Sequence, residues 1–415
     1  MFVVLAGCAA ALLGGAIWFH ATGLGSHVGF DFVGYLEAAR AVANGENPYH
    51  QLATRVSNNG PASGYVYPPL LAVVLSVPVR FGLDSHLIAL LWDVLTLAAV
   101  VWMGRELNVG LRGRTDWAGS LIFATACLVP SLAMYDLFLG QADLLLAALV
   151  VISCGLWLRR NPWAALVLGL AIAVKWNLAI ILLVWLWKGD WRSSLRALVA
   201  VVLLVVIPFA FVGLDGARDY LQFMTHWSGI GGNADAMNQA PYGQLLRTFT
   251  VSTYTEPLLN APWLIAPLRL VATIFLAVCW LSVAPRARSS SNISRGMAEC
   301  LLALPLAVLL SPYAENIHYC IVLPTLVGLS WFAFQRSLWK RPAAWALWST
   351  AIVACLPRIE DTIYPSHVVT LPGQADPTWG PIIILLRTGM VLWIGLIVFL
   401  AGRQVLVASD WTTQS

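Results

Sequence analysis

Charge is what this sequence lacks most. Of 415 residues only 11% are charged, 24 basic and 20 acidic, and three are lysine. A soluble chain carries about 25% charge to keep its surface wet. This chain cannot do so: 59% of it is apolar and its mean hydropathy is +0.77, so lipid is the expected solvent. No basic cluster extends beyond short loops, which excludes nucleic acid as a partner. The seven cysteines (Cys8, Cys127, Cys154, Cys279, Cys300, Cys320 and Cys355) form no CxxC pair and lie in or beside apolar runs. They read as small core residues rather than a disulfide framework or a zinc site. Seven histidines show neither HxH nor HExxH spacing, so neither a metal nor a cofactor is expected. There is no GxGxxG loop to cradle a nucleotide.

What the chain does have is apolar runs, 20 Trp and 22 Pro. Trp gathers at bilayer interfaces, and Pro is tolerated in buried spanning helices. A span needs roughly 20 apolar residues. Candidates are 2–20, 84–103, 117–134, 141–158, 195–213, 263–284, 297–311, 317–334, 342–356 and 379–402. The run 2–20 has no basic leader and reads as a retained helix rather than a signal peptide. Two stretches are ambiguous: 68–79 is short for a crossing, and 163–187 carries Lys175 at its centre, as one span or two half-length helices.

If the N-terminus is cytoplasmic, 68–79 does not cross and 163–187 doubles back, the cations fall on one side. These are Arg105, Arg112, Arg114, Arg159, Arg160, Lys188, Arg192, Arg196, Arg286, Arg288, Arg295, Arg336, Lys340, Arg341 and Arg403. That side is cytoplasmic by the positive-inside rule. The loops 21–67, 214–262 and 357–378 then lie outside. Arg295 falls in a solvated loop, 285–295. The alternative, with 68–79 crossing and 163–187 a single span, moves five of these arginines outward and keeps the long loops outside. The chain reads as one integral-membrane domain, 1–415: helices 1–213 with outer loop 21–67, a second outer loop 214–262, and helices 263–415.

Four polar clusters stand out, and charge at a membrane margin marks function more often than on a soluble surface. In "GFDFVGYLEAARAVANGENPYH" (29–50), Tyr35, Ala38, Ala39 and Val42 recur at helical spacing, so 33–43 reads as a short amphipathic helix on the membrane. Asp31 is either its N-cap or a general base for an acceptor hydroxyl. "SGYVYPPLLAVV" (63–74) offers Tyr65 and Tyr67 as interfacial anchors or as a groove wall. "YDLFLGQAD" (135–143) and "AVKWNLA" (173–179) put Gln141 and Lys175 among apolar helices. Lys175 suits a lipid-borne phosphate, or else a structural pair with Asp93 or Asp143. "NQAPYGQLLRTF" (238–249) and "SPYAENIHYC" (311–320) supply Asn238, Gln239, Arg247, Glu315, Asn316 and His318.

In this order, "DFVGYLEAARAVANGENPY", "YVYPPLLAVVLSVP", "GQADLLLAALV", "GLAIAVKWNLAIILL", "NQAPYGQLLR" and "SPYAENIHY" resemble glycosyltransferase family 87. These are the polyprenyl-phosphate-mannose-dependent α-mannosyltransferases of the GT-C superfamily. The likeness runs from about Gly29 to about Tyr319. It departs from the family at Lys175-Trp176-Asn177-Leu178, where relatives often carry prolines. The resemblance implies an all-α polytopic fold of about a dozen spanning helices, with interfacial helices in the first outer loop. It implies a multi-pass protein of the cell (inner) membrane, with a periplasmic or exterior active site and cytoplasmic termini. Asp31 would be the general base. Lys175, His318 and Arg247 would hold the donor phosphate. Tyr35, Arg40, Tyr67, Gln141, Asn177, Asn238, Gln239 and Glu315 would line the cavity. The expected partners are a polyprenyl-phosphate sugar, a glycolipid or glycan acceptor and membrane lipid. Such a donor carries its own leaving group, so the chemistry needs a base and cations, and displacement from one face inverts the anomeric centre. The competing classes are a lipid or solute transporter or flippase, although no paired halves are visible, and a non-catalytic assembly factor.

Overall fold

A computed structural model describes residues 29–50, 65–227, 238–251, 257–285, 293–354 and 390–411. The run 2–20, all of 357–378 and part of 379–402 lie outside the described residues, as do Cys8, Cys355, Arg286 and Arg288. Every regular element among the described residues is helical. Five helices there are long and apolar enough to cross a membrane: Ser85–Arg112, Trp191–Thr225, Pro262–Leu281, Asn316–Gln335 and Leu392–Ser409. Trp117–Leu128 and Leu132–Leu139, bent by 79°, make a sixth if counted as one broken span. The expected span 117–134 is thus interrupted beside Pro130, as proline's missing N–H and ring clash predict. The chain is a multi-pass membrane protein. It gathers into two compact units, 1–129 with 133–229, and 130–132 with 230–415.

The first unit begins with α1 (Phe30–Ala43), packed on α2 (Leu70–Arg80). Tyr35, Ala38, Ala39 and Val42 are buried, as their spacing predicts. At 1.5 Å per residue α2 is about 16 Å long, well short of a roughly 30 Å hydrocarbon core. Next come α3 (Ser85–Arg112), α4 (Trp117–Leu128), α5 (Ser131–Leu139) and α6 (Asp143–Leu158).

α7 (Trp163–Val174) stops at Lys175, whose backbone is extended (φ −137°, ψ 105°). A 3-10 turn, Trp176–Ala179, leads into α8 (Ile180–Trp187). Both outer ends of this pair lie against the last turns of α6. Ser153 Oγ donates to Ala164 O at 2.8 Å, Trp157 stacks on Trp185 with centroids 5.4 Å apart, and Trp157 Nε1 donates to Asp190 at 2.9 Å. The segment 163–187 therefore enters and returns, with Lys175 at its tip.

α9 (Trp191–Trp227) is longer than the expected span 195–213. Gly213 (φ 78°, ψ 175°) leaves helical geometry and divides it into two helices that meet at a kink, and Tyr220 and Phe223 bury one face of the second. Residues 214–227, expected as outer loop, are thus helical.

The second unit holds α10 (Pro241–Phe249), α11 (Ile265–Leu281), α12 (Ile293–Leu309), α13 (Leu323–Gln335), α14 (Pro342–Ala354) and α15 (Met390–Trp411). α15 packs on both α12 and α14. Arg295, expected in a solvated loop, instead lies inside α12 and is buried. Its guanidinium donates to Glu299, Leu406 O, Ser409 Oγ and Val283 O, all within 2.8 Å. Four acceptors offset the cost of desolvating the charge.

Candidate active site

Asp31 sits in the first turn of α1, two residues beyond the cap position. Gly29 is the N-cap and gives no side-chain bond, so the capping role read from the sequence is overturned. The carboxylate turns instead to the α5–α6 connection, where Gln141 Nε2 donates to its Oδ2 at 2.6 Å. Two phenols fix that amide: Tyr35 and Tyr67 donate to Gln141 Oε1 at 2.8 and 3.2 Å. An ionised carboxylate only accepts, so hydroxyls on Oε1 leave the amide N–H groups for Asp31. The tyrosines are buried among Phe32, Tyr65 and Trp92.

The close approach behind this arrangement is built on glycine. Gly29 and Gly140 both have positive φ, 83° and 68°. A Cβ on Gly29 would lie 2.6 Å from Leu139 O, and one on Gly140 would lie 2.6 Å from Phe32 Cβ.

Beside this chain of hydrogen bonds lies the hairpin tip. Lys175 Nζ pairs with Asp143 Oδ1 at 2.5 Å, so Asp143 rather than Asp93 is its partner. Asp136, fully buried on α5, accepts from Leu144 N at 3.2 Å, while its Oδ1 has no partner among the described residues. Burial raises the Asp31 pKa above the usual aspartate value; the Gln141 amide works against this, Asp143 adds to it and Lys175 opposes it. Among the described residues no group of three His, Cys, Asp or Glu could hold a metal ion.

A half-buried carboxylate of raised pKa, aimed by an amide and bordered by a cation, is a fit base for a hydroxyl nucleophile. The sequence profile of glycosyltransferase family 87 matches residues 65–312, more than half of the chain. The chain belongs to that family. It is 26% identical over 345 residues to the polyprenol-phosphate-mannose-dependent alpha-(1-2)-phosphatidylinositol mannoside mannosyltransferase of Mycobacterium tuberculosis, covering 77% of this chain and 75% of the relative. The protein of that name from Mycolicibacterium smegmatis is 24% identical over 364 residues, covering 85% and 75%. A phosphatidylinositol pentamannoside mannosyltransferase of Mycobacterium tuberculosis is 28% identical over 279 residues, covering 64% and 58%. No solved structure matches.

In this family 87 glycosyltransferase, Asp31, Tyr35, Tyr67 and Gln141 form one connected group, with Lys175 at the neighbouring tip and Asn177 on the turn that follows. Tyr65 and Tyr67 are buried against protein, which does not suit a lipid anchor. Arg40 stands apart, exposed and donating to Ser85 Oγ at 2.7 Å.

The other expected site residues belong to the second unit. Asn238 Oδ1 accepts from Ala240 N and Ala314 N, and Nδ2 donates to Pro312 O. Gln239 N donates to Ala314 O at 2.6 Å, and Tyr319 donates to Gln239 O at 2.8 Å. Glu315 and His318 form a reciprocal capping box at the start of Asn316–Val322, in which His318 Nδ1 accepts from Glu315 N at 3.0 Å. Arg247, buried on α10, donates to Gln244 Oε1 at 2.8 Å.

Sequence reasoning missed Asp136, Trp92, Tyr49 and Tyr220. Tyr49, fully buried, donates to Tyr67 O at 2.8 Å and packs on Tyr65 and Tyr220. Trp176, just past the tip, donates to Tyr220 at 3.1 Å. The signal for Asp136 was present, in the same "YDLFLGQAD" stretch that drew attention to Gln141.

Proposed function

We propose that this family 87 enzyme transfers mannose from polyprenol phosphate mannose to a hydroxyl of a glycolipid or glycan, with Asp31 as general base and inversion at the anomeric carbon. The observation that carries the reading is the Asp31 carboxylate: raised in pKa, aimed by Gln141 and bordered by Lys175. The names of the relatives supply the donor class and suggest a phosphatidylinositol mannoside as acceptor.

Asp31 takes the acceptor proton as the oxygen attacks, and the polyprenyl phosphate leaves with the bonding pair. Lys175, released from Asp143, meets the phosphate's growing charge. A GT-C arrangement of about a dozen spans, in a cell membrane with cytoplasmic termini, suits this reading. In this reading the active site faces outward, supported by the positive-inside rule: Asp31, Gln141 and Lys175 gather at one end of the first unit, and Arg105, Arg112, Arg159, Lys188 and Arg192 at the other. A phosphate role for His318 and Arg247 is a separate proposal, tested by whether Arg247→Gln and His318→Ala raise the donor KM. No observation favours the transporter reading.

The test is radiolabelled polyprenol phosphate mannose with phosphatidylinositol mannoside in vesicles. Asp31→Asn is expected to fold, bind donor and fail to transfer sugar. Turnover like wild type in that variant would remove Asp31 as base, and a product retaining the donor's anomeric configuration would remove the single displacement.

A further inference from the structure

The second unit has a feature that the transfer reaction does not use. The last turns of α15 meet the first turn of α14 at a groove of about 460 Å³, lined by Arg341, Arg403, Gln404, Pro342, Ala343 and Val407. Arg403 is held in place by bonds from Nε to Cys279 O and Ser282 Oγ, at 3.2 and 3.1 Å. Neither Arg341 nor Arg403 has a carboxylate partner among the described residues. Pro342 and Ala343 begin α14, so the positive end of that helix dipole borders the groove. Arg336 and Lys340 lie on the adjoining turn. Away from the arginines, the same two helices expose Trp345, Trp348, Ile352, Trp393 and Ile397. A polar cationic notch thus opens onto an apolar helical face.

We propose that this groove holds the phosphate of an anionic phospholipid, with its acyl chains along the exposed face of α14 and α15. Two guanidiniums and a helix start favour a phosphate oxyanion, and basic pockets between spanning helices take such headgroups. The apolar face selects an amphiphile over a soluble anion. Positive charge places this end of the second unit in the cytoplasmic leaflet.

The test uses the full chain in phosphatidylcholine nanodiscs doped with phosphatidylglycerol, with bound lipid counted by native mass spectrometry. Wild type is expected to retain phosphatidylglycerol over phosphatidylcholine. Each basic side chain beside a headgroup is worth about fivefold in affinity, so Arg341→Gln with Arg403→Gln should lose about 25-fold. Gln404→Glu, an exposed change inside the groove, should weaken retention without removing either arginine; it decides the matter if the double variant does not fold. Arg192→Gln, exposed in the first unit, should change nothing. Equal retention by wild type and Gln404→Glu would overturn the proposal. Displacement of the lipid by millimolar inorganic phosphate would overturn the lipid assignment in favour of a free-anion site.

Discussion

The two ends of the first unit each bury an acid against a base, yet they are built for different ends. At one, Glu106, fully buried on α3, meets Arg159 at 2.5 Å and accepts from Trp102 at 3.1 Å. One acid faces one strong base, and Arg105 lies 3.6 Å away. At the other, Asp31, Asp136 and Asp143 gather around a single lysine. Charge balance at the first end serves packing, because a lone buried charge is expensive. The surplus of carboxylates at the second makes the folded chain no more stable. It leaves acid groups available for chemistry, in keeping with the tendency of perturbed titrating groups to collect at functional sites.

The comparison can be broken by exchanging its parts. Removing the surplus acid should have the largest effect: Asp31→Asn is expected to lower kcat by on the order of 10²–10⁴-fold with an unchanged melting temperature. Lys175→Ala should raise the donor KM by roughly 10- to 100-fold, the worth of a hydrogen bond to a charged group, with a smaller change in acceptor KM. An unchanged donor KM would make that lysine purely structural.

Gln141→Met should lower kcat by about tenfold and also move the pH profile. As the proposed base Asp31 would work only when ionised, so turnover should fall as pH drops through its pKa. Burial puts that acid limb above the ordinary aspartate range, and losing the amide that lowers the pKa moves it higher still. An acid limb that stays in place would show the amide to be idle. At the opposite end, Glu106→Gln should cost about 1–3 kcal/mol of stability, measured by thermal melting, with turnover per folded molecule unchanged, because the half-buried Arg159 stays partly hydrated.

Much of the fold was legible wherever the signal is local. The buried face of α1 followed from the spacing of Tyr35, Ala38, Ala39 and Val42. At 163–187 the sequence left one span and two half-length helices open, and the side on which the cations fall favoured the break that Lys175 makes. The stretch 214–227 was misread because low hydropathy was taken for loop. Tyr220 and Phe223, three residues apart, are enough to seat a surface helix. Arg295 was misread because three of its four acceptors lie on α15 and past the end of α11, and only Glu299, four residues on, is local. The hub on Gln141 was hidden for the same reason. Its partners are 74 to 110 residues away, so spacing could nominate Asp31, Tyr67 and Gln141 singly but not connect them. Asp136 stood in the quoted "YDLFLGQAD" stretch, an acid among apolar residues, but its tie to Leu144 N and to the other carboxylates is tertiary and not visible in spacing.

Gly29 lies against the main chain of Leu139 and Gly140, and Gly140 against the Phe32 side chain, with no room for a methyl group on either. The position of the oxygen proposed to take the proton is therefore inherited from main-chain geometry, upstream of any side chain that would recognise a sugar. Walls can be recarved around it to admit a different acceptor while the proton's destination stays where it is. An alanine at either glycine would instead pry the carboxylate off its amide, leaving every recognition group intact and the chemistry misaligned.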